Sequence, residues 1–233
     1  MILDDKALAL RLSNRPEFLL RLVEFLQTYD VSAKAALVIQ ARPAPDSTSG
    51  AVDIDDARLQ KRFLAGAEAA DPWWQGFHSM IRAKPTFHGI ASLPAHEQPA
   101  WASEVHRDGH FIAGVWKFPD LPSGRGAEVK VIPAFYVDMF TDFFKLVAST
   151  LQLSDGTAPY EATATLVQAP ELHFAQQTQF NNNYAVSAKP LTIDNLQWPV
   201  STAEVGTPHW AALATRMGKA LTGAYGASPP RMS

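Results

Sequence analysis

The chain contains no cysteine. This absence excludes disulfide bonds, zinc ribbons, thiol nucleophiles and cysteine-ligated iron–sulfur clusters. The fold must therefore be stabilised by burial and hydrogen bonding alone. Hydrophobic residues make up 47% of the chain and charged residues 18%, which is enough apolar material for a core and excludes disorder of the whole chain.

Long apolar runs are also missing. No run approaches the ~20 residues that a membrane-spanning helix requires. The first residues, MILDDKALAL, are acidic where a secretory signal would be basic, and they lack a cleavage pattern. We therefore expect a soluble, cytoplasmic protein that has no membrane partner.

Neither sign of charge dominates. The 20 basic and 23 acidic residues give a net charge of −3, so the molecule as a whole has no field that attracts nucleic acid. The densest basic spots, Lys61-Arg62 and Arg82 with Lys84, are too small for a groove that follows phosphates. We expect no nucleic-acid partner.

Recognisable catalytic motifs are the last absence. The chain has no G-x-S-x-G elbow, phosphate loop, dinucleotide fingerprint or H-E-x-x-H sequence. It also has no internal repeat. No catalytic residue is therefore assigned from motifs.

Hydrophobic periodicity predicts a mixture of helices and strands. Asn14-Arg15-Pro16-Glu17 is typical of a helix start, with an Asn cap, Pro in the first turn and Glu three residues after the cap. The other predicted elements are a short helix ending at Leu12, a strand over 35–41, a helix over 55–69, strands between 73 and 118, a helix over 132–151 with Pro133 at its start, a strand over 160–168, a polar loop over 176–183 and a helix over 208–225.

The order of these elements has no βαβ rhythm. It predicts an α+β fold with a largely antiparallel sheet and packed helices. We divide the chain into an N-terminal helical segment (1–30), an α+β domain (31–226) and a flexible tail (227–233).

The stretch EVHRDGHF, residues 104–111, concentrates two histidines, two carboxylates and an arginine. Asp108-Gly109 is a preferred dipeptide of two-residue hairpin turns, in which both positions have positive φ. A turn there would pair His106 with Phe111 and Trp101 with Trp116. His106 and His110 would then project from opposite faces and could not share one metal ion.

A metal site is the alternative interpretation of the same stretch. His106 and Asp108 have the H-x-D spacing of a facial triad that binds iron or another divalent metal. Such a triad needs a distant histidine, for which His173 or His209 could serve. Because Asp108 is better used in the turn, we favour a protein without a cofactor.

Four residues are candidates for binding. Adjacent tryptophans cannot both face the same way in a strand, so Trp73 or Trp74 could be an exposed anchor. Glu104 and His106 lie on the polar face of the predicted hairpin. Phe87-His88-Gly89 could place an imidazole near a bend, but the sequence shows no partner for it.

The order of features resembles the C-terminal region that follows the nucleotide-binding module in bacterial Schlafen/AlbA-type proteins. The stretches that carry the resemblance are AALVIQARPAP, WASEVHRDGHFIAGVWKF, FYVDMFTDFFKLVASTL with APYEATATLVQAP, and ALATRMGKALTGAYGAS. They cover residues 30–226 and contain no diagnostic catalytic motif. The nucleotide-binding and nuclease part of such proteins precedes the matching region, so the resemblance implies an accessory domain that senses a ligand or docks a partner.

Two functional hypotheses follow. The first is a non-enzymatic sensing or regulatory subunit of a bacterial assembly, which binds a protein partner or a small-molecule ligand. The second is a metal-dependent enzyme that uses His106, Asp108 and a distal histidine. A homodimer with its interface near Trp73 is a further possibility.

Overall fold

A computed structural model describes twelve stretches of the chain, and all structural statements below refer to them. They are residues 16–31, 34–44, 51–60, 81–94, 99–122, 128–133, 138–153, 160–167, 172–177, 184–187, 196–202 and 210–226. The predicted helix ending at Leu12 and the predicted tail lie outside them.

The described residues form eleven strands and three helices longer than one turn. The helices are α1 (Pro16–Thr28), α2 (Asp138–Leu153) and α3 (Trp210–Ala224). The strands are β1 (Ala36–Pro43), β2 (Ile81–Pro85), β3 (Gly89–Pro94), β4 (Trp101–His106), β5 (Phe111–Val115), β6 (Asp120–Pro122), β7 (Glu128–Pro133), β8 (Tyr160–Val167), β9 (Leu172–Gln177), β10 (Tyr184–Ser187) and β11 (Leu196–Thr202).

A seven-stranded antiparallel sheet is the centre of the fold, with the strand order β11-β8-β1-β5-β4-β3-β2. A smaller sheet has the order β10-β9-β7-β6, in which β7 and β9 are parallel. The α+β class and the largely antiparallel sheet predicted from the sequence are confirmed.

The large sheet separates two apolar clusters. Side chains of α2 and α3 belong to the larger cluster, together with alternate residues of β1, β4, β5 and β8. The smaller cluster contains α1 and the intervening residues of the same strands, among them Val38, Ala102 and Ile112. Because strand side chains alternate between faces, α1 covers one side of the sheet, and the larger cluster lies on the other.

The helix predicted after Asn14, which itself lies outside the described residues, is present as α1, Pro16–Thr28, with Glu17 in its first turn. Its buried face consists of Phe18, Leu22, Phe25 and Leu26, each of which contributes about 1.5–3 kcal/mol by burial. After the last turn, Asp30 adopts a φ of 54°, and the N–H of Val31 donates to the carbonyl of Leu26. This is a Schellman-type end, in which a left-handed residue satisfies the last carbonyls.

The absence of a side chain at Gly114 brings α1 close to the sheet. A Cβ at this position would lie 2.8 Å from Cε1 of Phe25. A larger residue there would therefore push the helix away from β5. The predicted helical segment 1–30 thus contains a helix that packs directly on the sheet of the α+β domain.

Several other predicted elements are confirmed within a few residues. The strand predicted over 35–41 is β1, the strand predicted over 160–168 is β8, and the last helix is α3. Of the helix predicted over 55–69, residues 57–60 form a helical turn, residues 55 and 56 precede it without being helical, and residues 61–69 lie outside the described residues.

The predicted start of the long helix at residue 132 is wrong. Residues 128–133 form β7, and Pro133 ends that strand where a helix start was predicted. The alternating β-branched residues of EVKVIP favour a strand, and helix α2 spans Asp138–Leu153. The predicted loop over 176–183 is wrong at its start, since Gln176 and Gln177 pair with β10. Residues 178–183 lie outside the description.

The position of the β4–β5 turn was predicted correctly, but its length was not. The loop contains three residues, 107–109, because Val105 pairs with Phe111 and the N–H of His106 donates to the carbonyl of His110. Gly109 has a φ of 77°, as in three-residue hairpin loops that end in a left-handed residue.

The longer loop shifts the register by one residue. Every side chain of β5 therefore lies on the face opposite to the predicted one. Trp101 pairs with Val115 and belongs to the larger cluster, whereas Trp116 belongs to the smaller cluster. The predicted pair of Trp101 and Trp116 does not form.

None of the described helices combines the length and the apolar character that crossing a bilayer would require.

Candidate functional site

The corrected register places His106 and His110 on the same face of the sheet. Their ring centroids are 5.8 Å apart. The prediction that the two imidazoles project from opposite faces is therefore wrong. The sequence signal Asp-Gly indicates a turn, but one additional loop residue reverses which side chains share a face.

A third imidazole extends the row. His88 stacks on His106 with centroids 5.5 Å apart and an interplanar angle of 28°. It lies at the tip of the β2–β3 hairpin, where the N–H of Thr86 donates to the carbonyl of Gly89 and leaves Phe87 and His88 as the two loop residues. We refer to His88, His106 and His110 as the histidine row.

Gly89 permits this stacking. A Cβ at Gly89 would lie 1.9 Å from the carbonyl oxygen of Val105 and 2.8 Å from Cα of His106. The two strands approach so closely at this point that only a glycine fits. The N–H of Arg107 donates to the carbonyl of His88 and holds the pairing beyond the last strand residues.

Glu104 is a buried carboxylate with two hydrogen-bond partners. The Tyr29 hydroxyl donates to Oε1 at 2.7 Å, and Nε2 of His106 lies 2.6 Å from Oε2. Glu104 is 7% exposed and His106 3%. Burial, followed by the negative charge of Glu104, raises the pKa of Tyr29 well above its usual value, so its hydroxyl stays protonated.

The inner end of the row is enclosed. Nε2 of His110 lies 3.1 Å from Oε1 of Gln40. The Phe18 ring packs edge-on against the His110 ring, with their centroids 5.7 Å apart. Burial is the largest cause that lowers the pKa of His110, to about 3. His110 is therefore a neutral, structural imidazole at neutral pH.

A groove runs beside the outer end of the row, between α1 and the β2–β3 hairpin. Its volume is about 470 Å³, and it is open to solvent on one side. Side chains of Glu24, Phe25, Phe87, His88 and Glu104 are among those that line it. The Phe87 side chain is 94% exposed at the rim. The lining of the groove thus includes a buried carboxyl group and an exposed aromatic ring.

Arg21 ties α1 to the hairpin turns beside the groove. Its guanidinium donates to Glu24 and to Asp108, each at 3.0 Å. Burial raises the pKa of Asp108, but the backbone N–H of His110 and the Arg21 charge outweigh burial, and the net shift is downwards. Burial also lowers the pKa of His88, and Arg21 lowers it further.

Of the binding residues predicted from the sequence, the structure places Glu104 and His106 in contact. Trp73 and Trp74 lie outside the described residues. The residues that the sequence did not connect to the site are Tyr29, Phe87, His88 and His110. Tyr29 follows a helix 75 residues before Glu104 and carries no local signal, whereas Phe87-His88-Gly89 did predict an imidazole near a bend.

The predicted metal residues do not converge among the described parts of the chain. Asp108 accepts hydrogen bonds from Arg21 and from its own turn, and His173 lies in β9 of the smaller sheet. No group of three or more metal-binding side chains occurs within the described ranges. His209 lies outside them, and iron or another divalent metal at this position stays a sequence-level prediction.

The pair of Glu104 and His106 has the form of a general base with its orienting carboxylate. Access argues against that chemistry. The His106 ring stacks on His88 and packs at a tilt against His110, and its Nδ1 is buried without a hydrogen-bond partner among the described residues. A substrate could not reach this nitrogen unless the hairpin moved. The part of the site that a ligand can reach is therefore the groove, which Glu104 helps to line.

No family model, curated protein or solved structure matches this chain.

Proposed function

We propose that this chain is a binding protein that docks a protein partner in the groove between α1 and the β2–β3 hairpin, with Phe87 as the anchor. The observation that carries the proposal is the 94% exposure of the Phe87 side chain at the rim of a groove of about 470 Å³. Large aromatic side chains dominate the binding energy of many interfaces.

The local backbone supports an anchor at this position. Phe87 is one of only two loop residues between paired strands, and the Thr86 hydroxyl accepts a hydrogen bond from the N–H of Gly89. The ring of Phe87 packs edge-on against His88, with centroids 4.9 Å apart. The aromatic side chain is thus presented on a short, hydrogen-bonded turn, which reduces the entropy that binding would cost.

The shape of the groove favours a polypeptide over a small molecule. Sites for small molecules usually enclose most of their ligand, whereas this groove is open on one side. A loop or strand of a partner could lie along α1 and cover Phe87. The role of an accessory, sensing or regulatory subunit in a bacterial assembly, which the Schlafen/AlbA resemblance implies, is compatible with such docking and remains a prediction.

Site-specific photo-cross-linking tests the proposal. A photoreactive amino acid replaces Phe87 in one variant and Lys219, which is exposed on α3, in the control. We expect one discrete cross-linked partner in the native host from position 87 and none from position 219. Equal cross-linking from both positions, or none from position 87, would refute the docking site.

Affinity for the cross-linked partner then measures the anchor. We expect Phe87→Ala to weaken binding by at least about 30-fold, because a hot-spot aromatic contributes about 2 kcal/mol or more. The same variant should keep its free energy of unfolding within about 0.5 kcal/mol, since an exposed side chain contributes little to folding. Unchanged affinity would remove Phe87 from the interface.

A further inference from the structure

Resting on the proposed function, we infer that the partner inserts a basic side chain, an arginine or lysine, into the groove to pair with Glu104. The carboxylate of Glu104 lines the groove, although its side chain is only 8% exposed. Among the described residues, no lysine or arginine forms an ion pair with it. Arg21, the arginine of the groove lining, pairs instead with Glu24 and Asp108.

Neither hydrogen-bond partner of Glu104 is a lysine or an arginine. Tyr29 is a neutral donor. A protonated His106 would carry an N–H at Nδ1, and this atom is buried without a partner among the described residues. Since an unpaired buried donor is costly, His106 is best satisfied as a neutral ring that donates from Nε2.

The carboxylate also has acceptor capacity to spare. An ionised carboxylate offers about four lone-pair sites, and Tyr29 and His106 occupy one on each oxygen of Glu104. A guanidinium or ammonium group entering from the groove would find two further sites. Glu24, whose side chain is 39% exposed on α1, supplies a second carboxylate at the mouth.

The walls of the groove suit the apolar part of a basic side chain. Phe25, Pro85 and Phe87 line it. The methylene stem of an arginine or lysine packs well on such surfaces, and its charged head is attracted to an aromatic face. An acidic side chain would meet the field of Glu104, which is weakly screened because Glu104 is buried.

Lys84 is the residue that would favour an acidic side chain of the partner over a basic one. It also lines the groove and is exposed on the hairpin wall. Solvent screens an exposed ammonium group more strongly than a buried carboxylate. A basic occupant is therefore favoured at the floor of the groove, and an acidic occupant paired with Lys84 is the outcome to be excluded by experiment.

Two capped tripeptides, with arginine or glutamate between two leucines, serve as probes in a titration of the full chain followed by amide NMR shifts. We expect saturable shifts at Thr28 and Phe87 with the arginine peptide only. Glu104→Gln should weaken binding at least 10-fold and Glu24→Gln about 3-fold, whereas Lys84→Gln should tighten it. Glu24→Gln changes a partly exposed residue, so it stays informative if Glu104→Gln perturbs folding.

Three outcomes would overturn the inference. They are preferential binding of the glutamate peptide with loss in Lys84→Gln, binding of neither peptide, and an arginine affinity that is unchanged in both glutamate variants. Cross-linking at position 87 that persists in Glu104→Gln would refute the basic occupant while keeping the docking site. Absence of cross-linking at position 87 in the otherwise unmodified chain would refute the docking site itself.

Discussion

Protonation of the buried His110 should destabilise the fold in mild acid. His110 is 4% exposed, and Gln40, its side-chain hydrogen-bond partner, carries no charge. Burial is the largest cause that lowers the pKa of His110 from an ordinary 6.5 to about 3. Between these two pKa values, His110 therefore binds a proton in the unfolded chain but not in the folded chain. Stability from this group is complete above pH 6.5 and is lost as the pH falls towards 3.

The magnitude follows from the difference in pKa. The shift from 6.5 to about 3 corresponds to roughly 5 kcal/mol, at 1.36 kcal/mol for each pKa unit, when both states are fully titrated. At pH 5.0 the unfolded imidazole is almost fully protonated and the folded one is not. His110 alone should then reduce the free energy of unfolding by about 2 kcal/mol relative to pH 7.5.

Urea denaturation at pH 7.5 and pH 5.0 measures this loss. The variant His110→Gln does not titrate and can still donate to Oε1 of Gln40, so its loss between the two pH values should be smaller by about 2 kcal/mol. His88, whose pKa is also lowered, adds a slope to both proteins and cancels in the comparison. His173→Gln, in the smaller sheet, is the matched control.

Two results would refute the reasoning about His110. One is an equal loss of stability in the parent chain and in His110→Gln between pH 7.5 and 5.0. The other is an imidazole proton shift of His110 that titrates near pH 6.5 in the folded protein. Asp108, whose pKa is lowered below 3.8, does not titrate in this window.

Two stability predictions test the contacts around Glu104 and the histidine row. Gly89→Ala should cost about 3 kcal/mol in urea denaturation because its Cβ would meet backbone atoms of β4, whereas Gly223→Ala, which has open space in α3, should gain about 0.5–1 kcal/mol. Equal effects would contradict the close approach. Tyr29→Phe should cost about 1.5–3 kcal/mol by removing a hydrogen bond to the buried Glu104. Tyr225→Phe, whose hydroxyl is buried without a partner among the described residues, should be neutral or stabilising; a larger loss in this control would contradict the assignment.

Much of the fold was predictable because its signals are local. Pro16 and Glu17 mark a helix start, and the alternation of Tyr160–Val167 is that of a strand with one face in the larger cluster. The start of α2 was missed because an apolar stretch with Pro133 fits both a helix start and a strand end. Pairing with β9, which is distant in sequence, decides for the strand.

The candidate site was predictable only in part. Glu104 and His106 share a strand face in any register, since residues two apart in a strand point the same way. Their partners Tyr29 and His88 come from a helix end and another hairpin, and no spacing rule connects these positions. The exposure of Phe87 depends on how the surrounding segments pack, and the hydrophobic pattern of the sequence does not predict that packing.

The sequence by itself determined the α+β class, the absence of thiol chemistry, and the presence of a turn at Asp108-Gly109. Only the tertiary structure decided that this turn has three residues, and therefore that His106 and His110 share a face instead of opposing ones. The physical reason is that side chains alternate with a period of two along a strand. A shift of one residue leaves the local pattern of apolar and polar residues plausible but exchanges the two faces of β5.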